Sequence, residues 1–145
     1  MELNNNIKYK RRISLYILYS KEGKILLQKR DLKAPTLPGY WAFFGGGIEN
    51  EEFPIDAVKR EAQEELEVKL LNPIFLNRYV MEQDGGVIEK FIFIEKLKTS
   101  LKKLKKNQKE GDALGLFQIS EIKKNLLFPK YNFVVLDDIE KYLKK

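Results

Sequence analysis

The chain has no cysteine and no histidine, and hydroxyl side chains are scarce, with four serines and two threonines in 145 residues. Without imidazole or thiol there is no Ser-His-Asp triad, no cysteine nucleophile, no Cys/His zinc site and no disulfide framework. Long apolar runs are also missing: no stretch approaches the roughly 20 residues of a membrane span. The polar segment Met1 to Arg12 lacks the core of a secretory signal. These absences predict a cytoplasmic protein with no membrane segment. Any catalytic site must be built from carboxylates, Lys, Arg, Tyr and backbone groups, an oxygen-rich set that suits hard cations such as Mg2+ or Mn2+.

What is present is ordinary globular material, 43% hydrophobic and 33% charged. A chain of this length buries roughly 68–70% of its unfolded surface and needs no staple. No repeat or Pro/Gly/Ser-rich linker divides it, so residues 1–145 are expected to form one domain with a core over about 11–144. The net charge of +6 favours polyanions, whether nucleic acid, anionic lipid or phosphorylated metabolites.

The runs Ile13 to Tyr19 and Ile25 to Arg30 flank a short Gly-bearing loop and predict a hairpin. Asp31 to Tyr40, with Pro35, Pro38 and Gly39, reads as a loop. Trp41 to Phe44 reads as a short strand that stops at Gly45-Gly46-Gly47, and a helix starts at Pro54 and runs to about Leu66. Leu70 to Met81 and Val87 to Leu97 flank Asp84-Gly85-Gly86 as a second hairpin. Leu114 to Ile119 reads as a strand, and Phe128 to Lys145 as a terminal amphipathic helix. The pattern predicts an α+β layered domain with a mostly antiparallel sheet. Seven lysines between Lys96 and Lys109, with Leu97, Leu101 and Leu104 at helical intervals, describe either a solvated basic segment with one apolar stripe or a lip for polyphosphate or nucleic acid.

Seven of the fifteen glutamates lie between Glu49 and Glu67. On a helical wheel Glu61, Glu64 and Glu65 share one arc, with Ala57 inside it and Arg60 flanking it. Ile55, Val58, Ala62 and Leu66 form the adjacent apolar stripe. Like charges at this spacing cost a helix roughly 0.2–0.5 kcal/mol per pair. A divalent cation on the acid arc would explain the arrangement, and Ala57 is small enough to leave the arc open.

The order Gly46, Glu52, Arg60-Glu61-Ala62, Glu64-Glu65, Glu67-Val68 resembles the signature of the Nudix hydrolases, G-x5-E-x7-R-E-U-x-E-E-x-G-U, where U is a bulky aliphatic residue. Leu26 to Arg30, Trp41 to Gly46, and Glu110 to Ile122 resemble the segments around that box. Two positions depart from it: Glu67 stands where the family has glycine, which commonly closes the helix in a left-handed conformation, and Ala62 is smaller than usual. The helix is expected either to adopt that conformation at a cost or to run on by a residue.

The resemblance implies an α/β/α sandwich with a mixed, mostly antiparallel sheet, and hydrolysis of a diphosphate bond in a nucleotide with Mg2+ or Mn2+. It implies that Glu61, Glu64 and Glu65 hold metal, helped by the Gly45 carbonyl, and that Arg60 and Glu52 pair to orient the acids. Glu64 or Glu110 is the candidate base, and Glu110 is also a candidate ligand. Lys29 and Arg30 are candidate phosphate contacts, and Trp41 and Phe117 candidate base-stacking residues. The proline that marks ADP-ribose hydrolases is replaced by Gln83 and Asp84, which tilts the substrate toward (deoxy)nucleoside triphosphates. A nucleotide-binding module without activity and an RNA 5′-end pyrophosphohydrolase using Lys96 to Lys109 are the alternatives. A small-molecule nucleotide is the expected partner of a monomer or homodimer.

Overall fold

In the computed structural model residues 7–145 are described, so the first six residues of the polar segment Met1 to Arg12 lie outside them. The strands are β1 (Arg11–Tyr19), β2 (Ile25–Lys29), β3 (Trp41–Ala42), β4 (Phe44–Gly47), β5 (Ile74–Gln83), β6 (Gly86–Lys96) and β7 (Ala113–Phe117). The helices are α1 (Pro54–Leu66), α2 (Leu101–Asn107), α3 (Ile119–Asn125) and α4 (Phe133–Leu143), with a 3-10 turn at Lys130–Asn132. Strand order is β3-β2-β1-β6-β5, with β4 also on β1 and β7 also on β2. The β1–β6 pairing is parallel and the others antiparallel, which is the mixed, mostly antiparallel sheet expected.

β1 is apolar on both faces because both are covered. Tyr16 and Leu18 join Phe44, Phe93 and the α1 residues Val58, Ala62 and Leu66 in one core, with Leu104 of α2. Ile13, Leu15 and Ile17 join Ile88, Ile92, Ile94, Ile122 of α3, and Val135, Leu136 and Ile139 of α4 in the other. Helices thus flank the sheet on both sides, an α/β/α sandwich. No helix of the described residues is long and apolar enough to cross a membrane.

Four local readings change. The glycines do not end a strand: Gly45, Gly46 and Gly47 lie in β4, paired with Leu15, Ser14 and Ile13. Gly45 has φ +139°, and a Cβ there would come within 2.3 Å of the Ser14 carbonyl oxygen, so this close approach requires glycine. Ile119 begins α3 rather than ending a strand. The terminal helix starts at Phe133, after the 3-10 turn. On α1, Ile55 is 37% exposed while Ala57 is fully buried. The apolar face is rotated toward the acids, and Ala57 packs the helix down instead of leaving the arc open.

Glu67 takes the left-handed conformation, φ 55° and ψ 38°. Its N–H bonds the Gln63 carbonyl, the single 5→1 bond of an αL closure, while the Val68 N–H bonds the Ala62 carbonyl and its side chain packs on the core. The helix therefore ends here without running on. A side chain at a left-handed position costs roughly 1–2 kcal/mol.

Candidate active site

α1 is fastened to the sheet at its start by Ser14, whose hydroxyl donates to the Pro54 carbonyl at 2.7 Å. This sets the acid arc against β4. A Cβ at Gly46 would lie 2.5 Å from the Glu61 carboxylate, so the glycine makes room for that acid.

Arg60 organises the outer acids. Its Nε and Nη2 donate to the two oxygens of Glu52 at 2.8 and 2.9 Å, a bidentate pair. Nη2 also donates to the Gly47 carbonyl, and Nη1 to Glu61 at 2.9 Å and to Glu64 at 3.3 Å. The guanidinium and the Glu49 backbone N–H together hold the Glu52 carboxyl down at about 2.

The three arc acids differ in environment. The Glu64 side chain is 58% exposed and that of Glu61 is 14% exposed, whereas Glu65 is buried at 2%. Tyr16 donates its hydroxyl to Glu65 Oε1 at 3.0 Å, and Oε2 is buried without a partner among the described residues. Burial first, then the Glu61 charge, pushes the Glu65 carboxyl up to about 9, with Glu110 adding to the rise and Tyr16 opposing it. Burial likewise raises Glu61, against the pull of Arg60.

Glu110 sits in the loop before β7. The Lys109 N–H bonds the Glu65 carbonyl at 2.9 Å, and the Gln108 amide donates to the carbonyls of Glu110 and Ala113. These bonds tie the loop to the end of α1 and bring Glu110 beside Glu65. Among the described residues no three acidic side chains converge at ligating distance, since Glu61 and Glu64 lean on Arg60. The orphaned Glu65 oxygen and the mutual repulsion of Glu61, Glu65 and Glu110 nonetheless make a donor set that a hard divalent cation satisfies.

Two of these acids, Glu61 and Glu110, line one side of a cleft of about 720 Å³ together with Gly45 and Gly46, whereas Glu64 and Glu65 are not among its lining residues. The cleft is within the size range of small-molecule sites. Arg30 lines its rim, where its guanidinium donates to the Thr36 carbonyl and hydroxyl. Lys29, Trp41 and Phe117 are not among the lining residues. Trp41 and Phe117 pack edge-to-face on each other, ring centres 4.8 Å apart, against the core. The cleft continues over Phe43, Lys90, Tyr131 and Asn132, three of which sequence reasoning passed over. Burial pulls the Lys90 ammonium down to about 8, with Asp84 opposing. A period-2 reading of β6 marks Lys90, because it shares the inward face with Ile88 and Ile92.

Of the seven lysines between Lys96 and Lys109, Lys109 lines the cleft and pairs with Glu67 at 3.3 Å. Leu104 of α2 is fully buried, with Leu97 and Leu101 packed beside it. The apolar stripe belongs to the core, and the lysines are the solvated face.

The NUDIX domain family model matches residues 8–136. The 8-oxo-dGTP diphosphatase of Proteus vulgaris is 27% identical over 110 residues, 75% of this chain and 97% of that protein. The nucleoside triphosphatase NudI of Klebsiella pneumoniae is 43% identical over 54 residues, 37% of this chain and 38% of that protein. Among solved structures, the MutT protein of Methanosarcina mazei superposes with a TM-score of 0.78 at 18% identity, covering 99% of this chain and 100% of that one. The NUDIX domain of Shewanella oneidensis NrtR, solved with ADP ribose, superposes with a TM-score of 0.72 at 13% identity, covering 98% and 94%. With the box residues arrayed on α1 and β4 and the family model spanning most of the chain, the protein belongs to the NUDIX domain family, the hydrolases of phosphoric anhydride bonds.

Proposed function

We propose that this chain, as one domain, is a Mg2+- or Mn2+-dependent pyrophosphohydrolase that cleaves a diphosphate bond in a small nucleotide, a (deoxy)nucleoside triphosphate. The observation that carries the reading is a nucleotide-sized cleft lined by the acids Glu61 and Glu110, behind which Glu65 buries a carboxylate oxygen with no partner among the described residues. The two curated relatives described above, an 8-oxo-dGTP diphosphatase and a nucleoside triphosphatase by name, support the substrate class.

Glu61, Glu64, Glu65 and Glu110, with the Gly45 carbonyl, would hold the cation. Bound there, it neutralises the diphosphate, polarises phosphorus–oxygen bonds and acidifies a bound water. Arg60, locked by Glu52, positions Glu61 and Glu64. Arg30 at the rim faces the substrate phosphates. Glu64 and Glu110 are the two carboxylates open enough to take the proton of the attacking water, and their single Gln variants separate them, since loss of the base removes the ascending limb of the pH–rate profile.

The test is a panel of nucleoside triphosphates, ADP-ribose, dinucleoside polyphosphates and nucleotide sugars with Mg2+ or Mn2+. Turnover of a triphosphate that falls at least a hundredfold in Glu65→Gln is the expected result. No turnover of any member, or turnover unchanged in both Glu64→Gln and Glu65→Gln, refutes the reading.

A further inference from the structure

Lys90 occupies a position where folding alone favours an apolar side chain. It lies in β6 between Ile88 and Ile92, is 1% exposed, and belongs to the sheet face covered by α4. Burying an ammonium is costly unless its donors are met. Lys90 donates to Asn132 Oδ1 at 2.7 Å and its Nζ lies 4.7 Å from the centre of the Tyr131 ring. An ammonium carries three donors, and this bond uses one. Asp84, whose charge opposes the effect of burial on Lys90, is an exposed residue at the cleft rim.

Asn132 sits at the start of α4, yet its side chain does not cap that helix. Because Oδ1 accepts from Lys90, the amide is turned so that Nδ2 is the group left for another partner. Lys90, Tyr131 and Asn132 all line the cleft, on the face of the sheet opposite α1 and its acids. This end of the cleft therefore offers hydrogen-bond donors, from Lys90 Nζ and Asn132 Nδ2, and is also lined by Phe43 and Tyr131.

Nucleobases differ in how they meet such a surface. Guanine presents adjacent acceptors at O6 and N7 and thymine a carbonyl at O4, whereas adenine and cytosine place an exocyclic amine at the corresponding position. An amine aimed at an ammonium leaves both sets of donors unmet. We infer that Lys90, together with Asn132, is the specificity-determining pair of this cleft, and that it selects nucleobases with a carbonyl oxygen at purine C6 or pyrimidine C4 (guanine, uracil, thymine) over those with an exocyclic amine at that position (adenine, cytosine). This inference rests on the cleft being a nucleotide site, as proposed above.

The test measures binding of GMP, UMP, AMP and CMP by calorimetry with Mg2+ present, for the wild type, Lys90→Met and Asn132→Asp, and kcat/KM for the matching triphosphates. The wild type is expected to prefer GMP over AMP by roughly tenfold to a hundredfold, the range of one charge-assisted hydrogen bond. Lys90→Met is expected to bring that ratio within about threefold by weakening GMP while AMP holds or tightens. Should Lys90→Met not fold, Asn132→Asp decides: its carboxylate draws the ammonium inward and removes the amide donors, so the preference is expected to disappear there too.

Equal weakening of GMP and AMP in Lys90→Met overturns the inference, because it assigns the ammonium to the shared phosphate. So does a wild type that binds the four alike, or a ratio unchanged in the variants. Hydrolysis of GTP and ATP at equal kcat/KM refutes the role of Lys90 and leaves the hydrolase reading standing. Selective GMP binding that Lys90→Met abolishes, with no triphosphate cleaved, does the reverse. No binding of any nucleotide overturns both.

Discussion

Replacing Glu65 by glutamine is expected to make the metal-free protein more stable, by an amount that grows with pH. In the fold the Glu65 carboxyl is held up at about 9, chiefly by burial and then by Glu61. In the unfolded chain it titrates near the ordinary glutamate value, so folding takes up a proton. Its contribution to stability is therefore fully present below about 4.5 and is lost as pH climbs toward about 9. Each pH unit inside that window costs up to about 1.4 kcal/mol, so the step from about pH 5 to about pH 8 removes about 3–4 kcal/mol from the wild type. Glutamine keeps the shape and can still accept from Tyr16, but has no charge to desolvate. Urea unfolding in EDTA should therefore show a Glu65→Gln advantage that is small near pH 5 and large near pH 8. Adding Mg2+ at the higher pH should restore the wild type and not the variant, because a cation stabilises only the ionised acid. An advantage equal at the two pH values, or absent, refutes the reasoning, since it means the carboxyl is either solvated or already compensated.

Three other outcomes follow from the geometry. Glu67→Gly relieves the left-handed side chain at the end of α1 at the loss of an exposed ion pair to Lys109, so it should gain about 1 kcal/mol, or roughly 2–4 °C in melting temperature; Glu67→Ala, which keeps a Cβ there, should not. Gly46→Ala drives a methyl into the Glu61 carboxylate and should lower kcat/KM by roughly tenfold to a hundredfold, as misplacing a ligand does, with a smaller effect on the melt. Trp41→Ala should cost about 3 kcal/mol of stability in denaturant unfolding, because the indole packs on Phe117, while the ratio of kcat/KM among nucleotides stays unchanged; a changed ratio would return Trp41 to the cleft.

The helix α1 was legible to the residue because local chemistry punctuates it, with Pro54 at its start and the acid and apolar spacing through Leu66. What the wheel could not supply was rotation. The position of β4 turns α1 so that Ala57 is buried and Ile55 exposed, and a helix alone holds no record of its neighbour. The glycines were misread for a similar reason. Their lack of side chains signals close approach, and the approach is to β1 within a strand. Ile119 to Asn125 is too short for its period to stand out, and Lys90 was hidden because its run reads as an ordinary strand until the inward register is known. Glu110 was reachable by resemblance alone, since its place beside Glu65 depends on the bond from Lys109 to the end of α1.

Strand β1 pairs with β4 and β6 over the same residues, Ile13 to Tyr16. Ser14 and Tyr16 face the acids, while Ile13 and Leu15 face the end of the cleft lined by Lys90. One strand is thus the shared wall of two rooms, and neither can be remodelled from that side without disturbing the other. Inserting a single residue into β1 would exchange its faces, turning Tyr16 to the side of the sheet that carries Lys90 and taking its hydroxyl from Glu65. Thr36, Asp84 and Tyr131 line the cleft from outside the strands, so substitutions there reach one room at a time.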